Sequence, residues 1–355
     1  MKTNYDKNIN SYEKQVRNII IKKRRNLQKL IAGTLLVSMC LGTALGCAIH
    51  KDKNDSFDDI KATNTQEVVS KKEISDFYID NYGDEFYLCA DKQYLLDLIE
   101  EAMAEVDAEY LSNGNRTIFD VEDTKYSQFD KYDILGLLFT ESSLRLIEIK
   151  DKKNGAFNVD NYERFYGEDE EGIIYYGPGM MSAEAVKYII DQDRIAVNKF
   201  ENPDYLKING KDVKISFENH NPYDYIIQSG AKTKKEIKTA LEECILLNVK
   251  TIYIYLNRLV KDNVKVGTHD DKLNALESYA QFKHLTREEK QIAYGLIAYN
   301  NGAGDTNKYM IAGKLFDKYT EGKHKGEYIL NVEYAKKAMN YAKEFEAEFA
   351  NEYAK

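Results

Sequence analysis

Twenty consecutive residues without a charge, Leu30 to Ile49 (LIAGTLLVSMCLGTALGCAI), set the first constraint on this 355-residue chain. A helix of about twenty apolar residues is long enough to cross the hydrocarbon core of a bilayer. Lys22, Lys23, Arg24, Arg25 and Lys29 precede the run, so the positive-inside rule predicts a cytoplasmic N-terminus and a body on the far side of the membrane. Two readings stand. One is an uncleaved single-pass anchor. The other is a cleaved signal, because Ala44-Leu45-Gly46-Cys47 is similar to a lipoprotein box and would leave Cys47 lipidated. The expected layout is a basic arm (1–29), a membrane anchor or signal segment (30–49), a polar tether (50–75) and a folded body (76–355).

Charge divides along the same line. The net charge is −9, yet residues 1–29 hold nine Lys/Arg against two Asp/Glu, which puts +7 there and −16 on the remainder. An acidic body repels phosphate backbones, so no nucleic-acid partner is expected. Hydrophobic residues make up 43 % of the chain, too many for a disordered protein, and four cysteines are too few for a disulfide scaffold. Cys89 and Cys244 in the body either pair or stand as separate buried thiols. His50, His220, His269, His284 and His324 are scattered, with no zinc spacing and no phosphate-binding glycine loop ending in Lys, so no metal and no cofactor are expected.

Periodicity places the helices. Leu95, Leu98, Ile99, Met103 and Val106 recur at helical spacing from Asp91 onward. Asp130–Ile149 is apolar on most sides and predicts one central, buried helix. Residues 150–177 are a polar surface excursion, and Ser182 N-caps a helix to Asp191. Asn209-Gly210 ahead of Asp212–Phe217 signals a hairpin. Helices return at Lys234–Leu259, Lys272–Lys283, Arg287–Asn300 and Val332–Glu352.

Within the apolar helix stands one carboxylate, Glu141, followed by Ser142 and Ser143. Burial disfavours a charged carboxylate and raises its pKa. A carboxyl still protonated at neutral pH is what a general acid for glycosidic cleavage requires. The alternative is a glutamate on the helix's exposed stripe. Two later strings bear on it: Gly177-Pro178-Gly179-Met180, a glycine-rich loop entering a helix, and Ala298-Tyr299-Asn300-Asn301-Gly302, a helix end with a glycine exit.

In order and content the three strings resemble the soluble lytic transglycosylase family, which shares its fold with goose-type lysozymes. That family shows Glu-Ser at a helix end, then Gly-Leu-Met-Gln, then Ala-Tyr-Asn-x-Gly, and the resemblance covers roughly residues 120–315. It implies a mainly α, lysozyme-like (α+β) catalytic domain with insertions, here preceded by the transmembrane or signal helix. It further implies cleavage of the β-1,4 bond between N-acetylmuramic acid and N-acetylglucosamine in peptidoglycan, leaving a 1,6-anhydro end. Glu141 would be the catalytic acid and base and Tyr299 its hydrogen-bonding neighbour, while Ser142, Ser143, Gly177, Gly179, Met180 and Asn300 would shape the sugar site. The implied partners are peptidoglycan strands, the membrane through the N-terminal segment, and a secretion or conjugation apparatus, with the body on the cell-wall side of the cytoplasmic membrane. Met180 departs from the pattern: it occupies the glutamine position, and a thioether cannot donate the amide's hydrogen bond. Glu141 and Tyr299 lie 158 residues apart, which implies insertions over 150–175 and 191–240. A hydrolytic muramidase and a non-catalytic glycan-binding protein are the rival readings. Glu148, Asp151, Asp160 and Glu163 are the second carboxylates a hydrolase could use, and Tyr162, Phe165, Tyr166, Tyr175 and Tyr176 are aromatics available to stack on sugars.

Overall fold

The computed structural model describes residues 76–112, 129–151, 157–168, 172–182, 185–186, 205–214, 221–264, 271–315, 317–321, 325–326 and 328–353. The chain divides into two units, Met1–Val69 and Ser70–Lys355, and every described residue belongs to the second.

That unit opens with a hairpin of β1 (Phe77–Tyr82) and β2 (Glu85–Ala90), then α1 (Lys92–Ser112) and α2 (Lys131–Ser142). Six short strands follow: β3 (Arg145–Ile149), β4 (Tyr162–Arg164), β5 (Tyr166–Glu168), β6 (Ile174–Tyr176), β7 (Met181–Ser182) and β8 (Tyr205–Ile208). After β9 (Lys211–Lys214) the chain is helical: α3 (Pro222–Ser229), α4 (Lys234–Asn263), α5 (Asp271–Glu277), α6 (Arg287–Asn301), α7 (Ala303–Ile311) and α8 (Val332–Tyr353). The described residues thus form a mainly helical fold with small antiparallel sheets, ordered β1-β2-β3-β4, β5-β6-β7 and β8-β9.

Local chemistry sets the element ends. Asp130 and Asp133 form a capping box on α2, as do Thr233 with Glu236 on α4 and Thr286 with Glu289 on α6. Asn209 (φ 51°) and Gly210 (φ 78°) make the two-residue turn between β8 and β9, as the Asn-Gly signal predicts. Ser182 Oγ accepts the Ala185 amide at 3.2 Å, an N-cap contact, although the rest of the helix expected there lies outside the described residues.

The core is built around α4, whose Ile237, Leu241, Ile245, Ile252, Leu256 and Val260 are buried. Helices α2 and α8 pack antiparallel. Tyr132 stacks on Phe349 at 6.3 Å, and Phe139 meets Phe345 and Tyr341 edge-on at 5.4 and 4.6 Å. Gly136 allows the close approach: a Cβ there would lie 2.4 Å from the Ala338 carbonyl oxygen.

Three expectations are corrected. The single helix over Asp130–Ile149 ends at Ser142. Ser143 and Leu144 take positive φ (52° and 64°), and Arg145–Ile149 pairs with β2 as a strand. The polar excursion carries β4, β5 and β6. The architecture led by a transmembrane or signal helix is overturned, and with it the membrane partner and the membrane-anchored, wall-side location: among the described residues no helix is long and apolar enough to cross a membrane. The longest, α4 and α8, carry Lys and Glu through their length because one face of each meets water. Leu30–Ile49, Cys47 and the 50–75 tether lie outside the described residues.

Candidate active site

Glu141 occupies the last turn of α2, beside the wall formed by α8. Its Oε1 accepts a 2.5 Å hydrogen bond from the hydroxyl of Tyr334, in the first turn of α8. Burial pushes the Glu141 carboxyl up to about 7, against the opposing pull of the Tyr334 hydrogen bond and the Lys337 charge. Tyr334 is buried and Tyr299 half-buried. Burial, followed by the nearby Glu141 charge, holds both phenols well above their ordinary range. Two protonated hydroxyls thus lie beside a carboxyl whose proton is held more tightly than usual.

The glycine loop arrives from the opposite side. Gly177 (φ 73°) opens the turn and the Met180 amide closes it on the Gly177 carbonyl at 3.1 Å. Tyr299 donates its hydroxyl to the Gly179 carbonyl at 2.6 Å, which ties the loop to α6. Side chains of α4 crowd both glycines. A Cβ on Gly179 would lie 2.3 Å from Ile252 Cδ1 and 3.2 Å from the Tyr299 hydroxyl, and one on Gly177 2.2 Å from Asn248 Oδ1. Side chains of α4 thus lie close beneath the loop. Met180 keeps a left-handed φ of 48°, a conformation that costs a non-glycine residue roughly 1 kcal/mol.

Of the residues expected in the site, Tyr299 lies near Glu141 and is bonded to Gly179 of the glycine loop, while the Met180 sulfur lies toward Gly167. Ser142 is 2 % exposed and turns its hydroxyl back to the Leu138 carbonyl at 3.2 Å. Ser143 is the left-handed C-cap of α2. Asn300 is exposed, while Asn301 beside it fastens α6 to the start of α8 by accepting the Asn331 amide at 2.9 Å. Glu163 pairs with Lys150 on the β3–β4 face at 2.9 Å, Asp151 and Asp160 are exposed, and the charges that act on Glu148 are Glu163 and Glu85. None of these carboxylates appears among the groups that shift Glu141. Tyr162 is a core residue, and Phe165 packs edge-on against Tyr87 at 5.4 Å. Tyr166, 50 % exposed, lies 6.4 Å from Tyr176 and remains open to solvent.

An open groove of about 370 Å³ adjoins this centre, lined among others by Tyr255, Arg258, Asp262 and Ala303. Tyr255 belongs to both, because its ring centroid is 5.9 Å from that of Tyr299. Cys89 and Cys244 are both buried and unpaired with each other, and burial drives both thiols well above their ordinary value, so neither has thiolate character. Among the described residues no cluster of His, Cys, Asp or Glu could hold a metal ion. No family model, curated protein or solved structure matches the chain.

The residue sequence reasoning missed is Tyr334. Its string, Val332-Glu333-Tyr334-Ala335, carries no motif. Its only signal is a tyrosine on the apolar side of an amphipathic helix.

Proposed function

We propose that the protein is a peptidoglycan lytic transglycosylase with Glu141 as its acid and base. The observation that carries this reading is the meeting of three distant sequence strings on one carboxyl, buried enough to hold its proton near pH 7. In the reaction, Glu141 gives its proton to the glycosidic oxygen as the bond from C1 of the muramyl sugar breaks. The muramyl 6-hydroxyl bonds to C1, and its proton returns to Glu141. No water enters, and the product is a 1,6-anhydro end. One carboxyl suffices for this path, whereas hydrolases of the two-carboxylate kind need a second within about 5–10 Å. An open groove runs past Tyr255, whose ring neighbours that of Tyr299.

The test is mass spectrometry of fragments released from peptidoglycan by the full chain, with Glu141→Gln as control. Fragments one water lighter than reducing muropeptides, absent from the control, are expected. Reducing ends would identify a muramidase, and fragments that persist with Glu141→Gln would remove Glu141 from the chemistry.

A further inference from the structure

We infer that Arg164 anchors a carboxylate of the substrate, and that this carboxylate belongs to the peptide stems of peptidoglycan. Arg164 ends β4, an edge strand of the four-stranded sheet. Its Nε and Nη2 both donate to a single oxygen of Asp224, Oδ1, at 3.1 and 2.7 Å. Asp224 stands in the first turn of α3 and is 6 % exposed, and its Oδ2 is buried without a partner. Asn221, the N-cap of α3, pins the same corner by donating Nδ2 to the Phe165 carbonyl at 2.9 Å. The guanidinium is therefore oriented from inside the protein. Its other N–H groups find no acceptor among the described residues, and the side chain is 53 % exposed. An arginine held by one edge presents the other as a two-point fork for a carboxylate, with side-chain entropy already lost. The surroundings leave that fork open. The Tyr223 ring lies 5.8 Å from the guanidinium, and the neighbouring Glu163 carboxylate is engaged by Lys150 at 2.9 Å. Tyr176 also lies close enough to act on the Arg164 charge, and it directly precedes Gly177. The fork thus stands beside the strand that leads into the glycine loop. On a glycan strand the lactyl carboxyl is tied up in the amide to the stem, so the free carboxylates are those of the stem itself.

This anchor rests on the proposed function for its ligand, and the test separates the two. Soluble peptidoglycan strands with native stems, and the same strands with their stem carboxyls converted to carboxamides, are given to the full chain and to Arg164→Lys. Lysine keeps a charge for Asp224 but has no fork. On native strands Arg164→Lys should raise KM about tenfold with kcat within about twofold, because the anchor is made equally before and during bond breaking. On amidated strands the wild type should show the same raised KM, and the variant no further loss. Equal losses on both substrates would make Arg164 only a staple between β4 and α3 and overturn the proposal. So would a wild type indifferent to amidation. Should Arg164→Lys fail to fold, Arg164→Gln combined with Asp224→Asn removes both charges together and is read in the same way. Wild-type protein that cleaves neither substrate sinks the transglycosylase reading, and NMR titration with L-alanyl-γ-D-glutamate then decides the anchor. A saturating shift of the Arg164 side-chain N–H resonances, absent with the amidated dipeptide, supports it, and no shift overturns it.

Discussion

Tyr299 spends its hydroxyl on the Gly179 carbonyl, not on the carboxyl it faces. Its influence on Glu141 is that of a neighbouring phenol, and its bond is to the loop. Tyr299→Phe should therefore do two things at once. The Gly179 carbonyl loses a partner in a buried place, which should cost about 1–2 kcal/mol of stability in urea denaturation. The loop also loosens against α6, and fragment release from peptidoglycan should slow on the order of tenfold without ceasing. Unchanged turnover would leave Tyr299 a structural tie only. The different legibility of these residues has a physical cause. Glu141 and Tyr299 stand in strings where an odd residue type marks a chemical need: a carboxylate in an apolar helix, an Asn-Gly exit after a tyrosine. Tyr334 obeys ordinary amphipathic spacing, and periodicity says which way a side chain faces but not which polar atom it meets. Gly179 is intermediate. A glycine loop is visible in sequence, but the Ile252 side chain that crowds the glycine comes from a helix some seventy positions later.

At the level of elements, the site depends on the seam between α2 and α8. Gly136→Ala would push a methyl to 2.4 Å from the Ala338 carbonyl oxygen and 2.9 Å from the Ala342 amide nitrogen. Both obstacles are backbone, so the helices must part. Overpacking of this kind costs about 1–3 kcal/mol, to be read as a lowered urea midpoint. Because α8 carries Tyr334, parting should also weaken its bond to Glu141, and the Glu141 midpoint should drift upward with the lost stability. A destabilised Gly136→Ala protein with an unmoved midpoint would uncouple the seam from the site. Helices here were readable wherever the apolar period ran unbroken, as in α1, α4, α6 and α8. The end of α2 was not, because the apolar residues continue through Leu144, Leu146, Ile147 and Ile149, now in a strand whose Leu146, Ile147 and Ile149 are buried. The switch from period 3.6 to period 2 is made by two left-handed residues, Ser143 and Leu144, and neither is a glycine that would announce it. The hairpin of β1 and β2 went unseen for a related reason: its turn residue Gly83 (φ 63°) is one glycine among twenty.

Over the whole molecule, the carboxyl proposed as the acid should also shape stability. Glu141 and Asp133 are both pushed up to about 7, each chiefly by burial. A carboxyl raised in the folded state binds its proton more tightly there than in the unfolded chain. Its contribution is complete below the unfolded value near 4 and is lost as pH rises through about 7. Glu236 and Glu289 are lowered, chiefly by backbone amides at helix caps, and Glu333 chiefly by the Tyr279 hydroxyl. These three act in the opposite sense: their contribution is present above the unfolded value and lost as pH falls below it. The two groups together place the stability maximum at about pH 5, with a decline toward pH 8. For Glu141 alone the decline is on the order of 3 kcal/mol as an upper limit. Urea midpoints measured from pH 4 to pH 8 should show that slope, and Glu141→Gln should flatten it: equal to the wild type near pH 4, more stable at pH 8, and inactive throughout. Stability and activity would then be opposed at one residue, since the burial that keeps the proton on Glu141 also makes its charge costly. A Glu141→Gln protein with the wild-type slope would mean that the carboxyl is solvated in solution, and it would remove the physical ground for Glu141 as a neutral-pH acid.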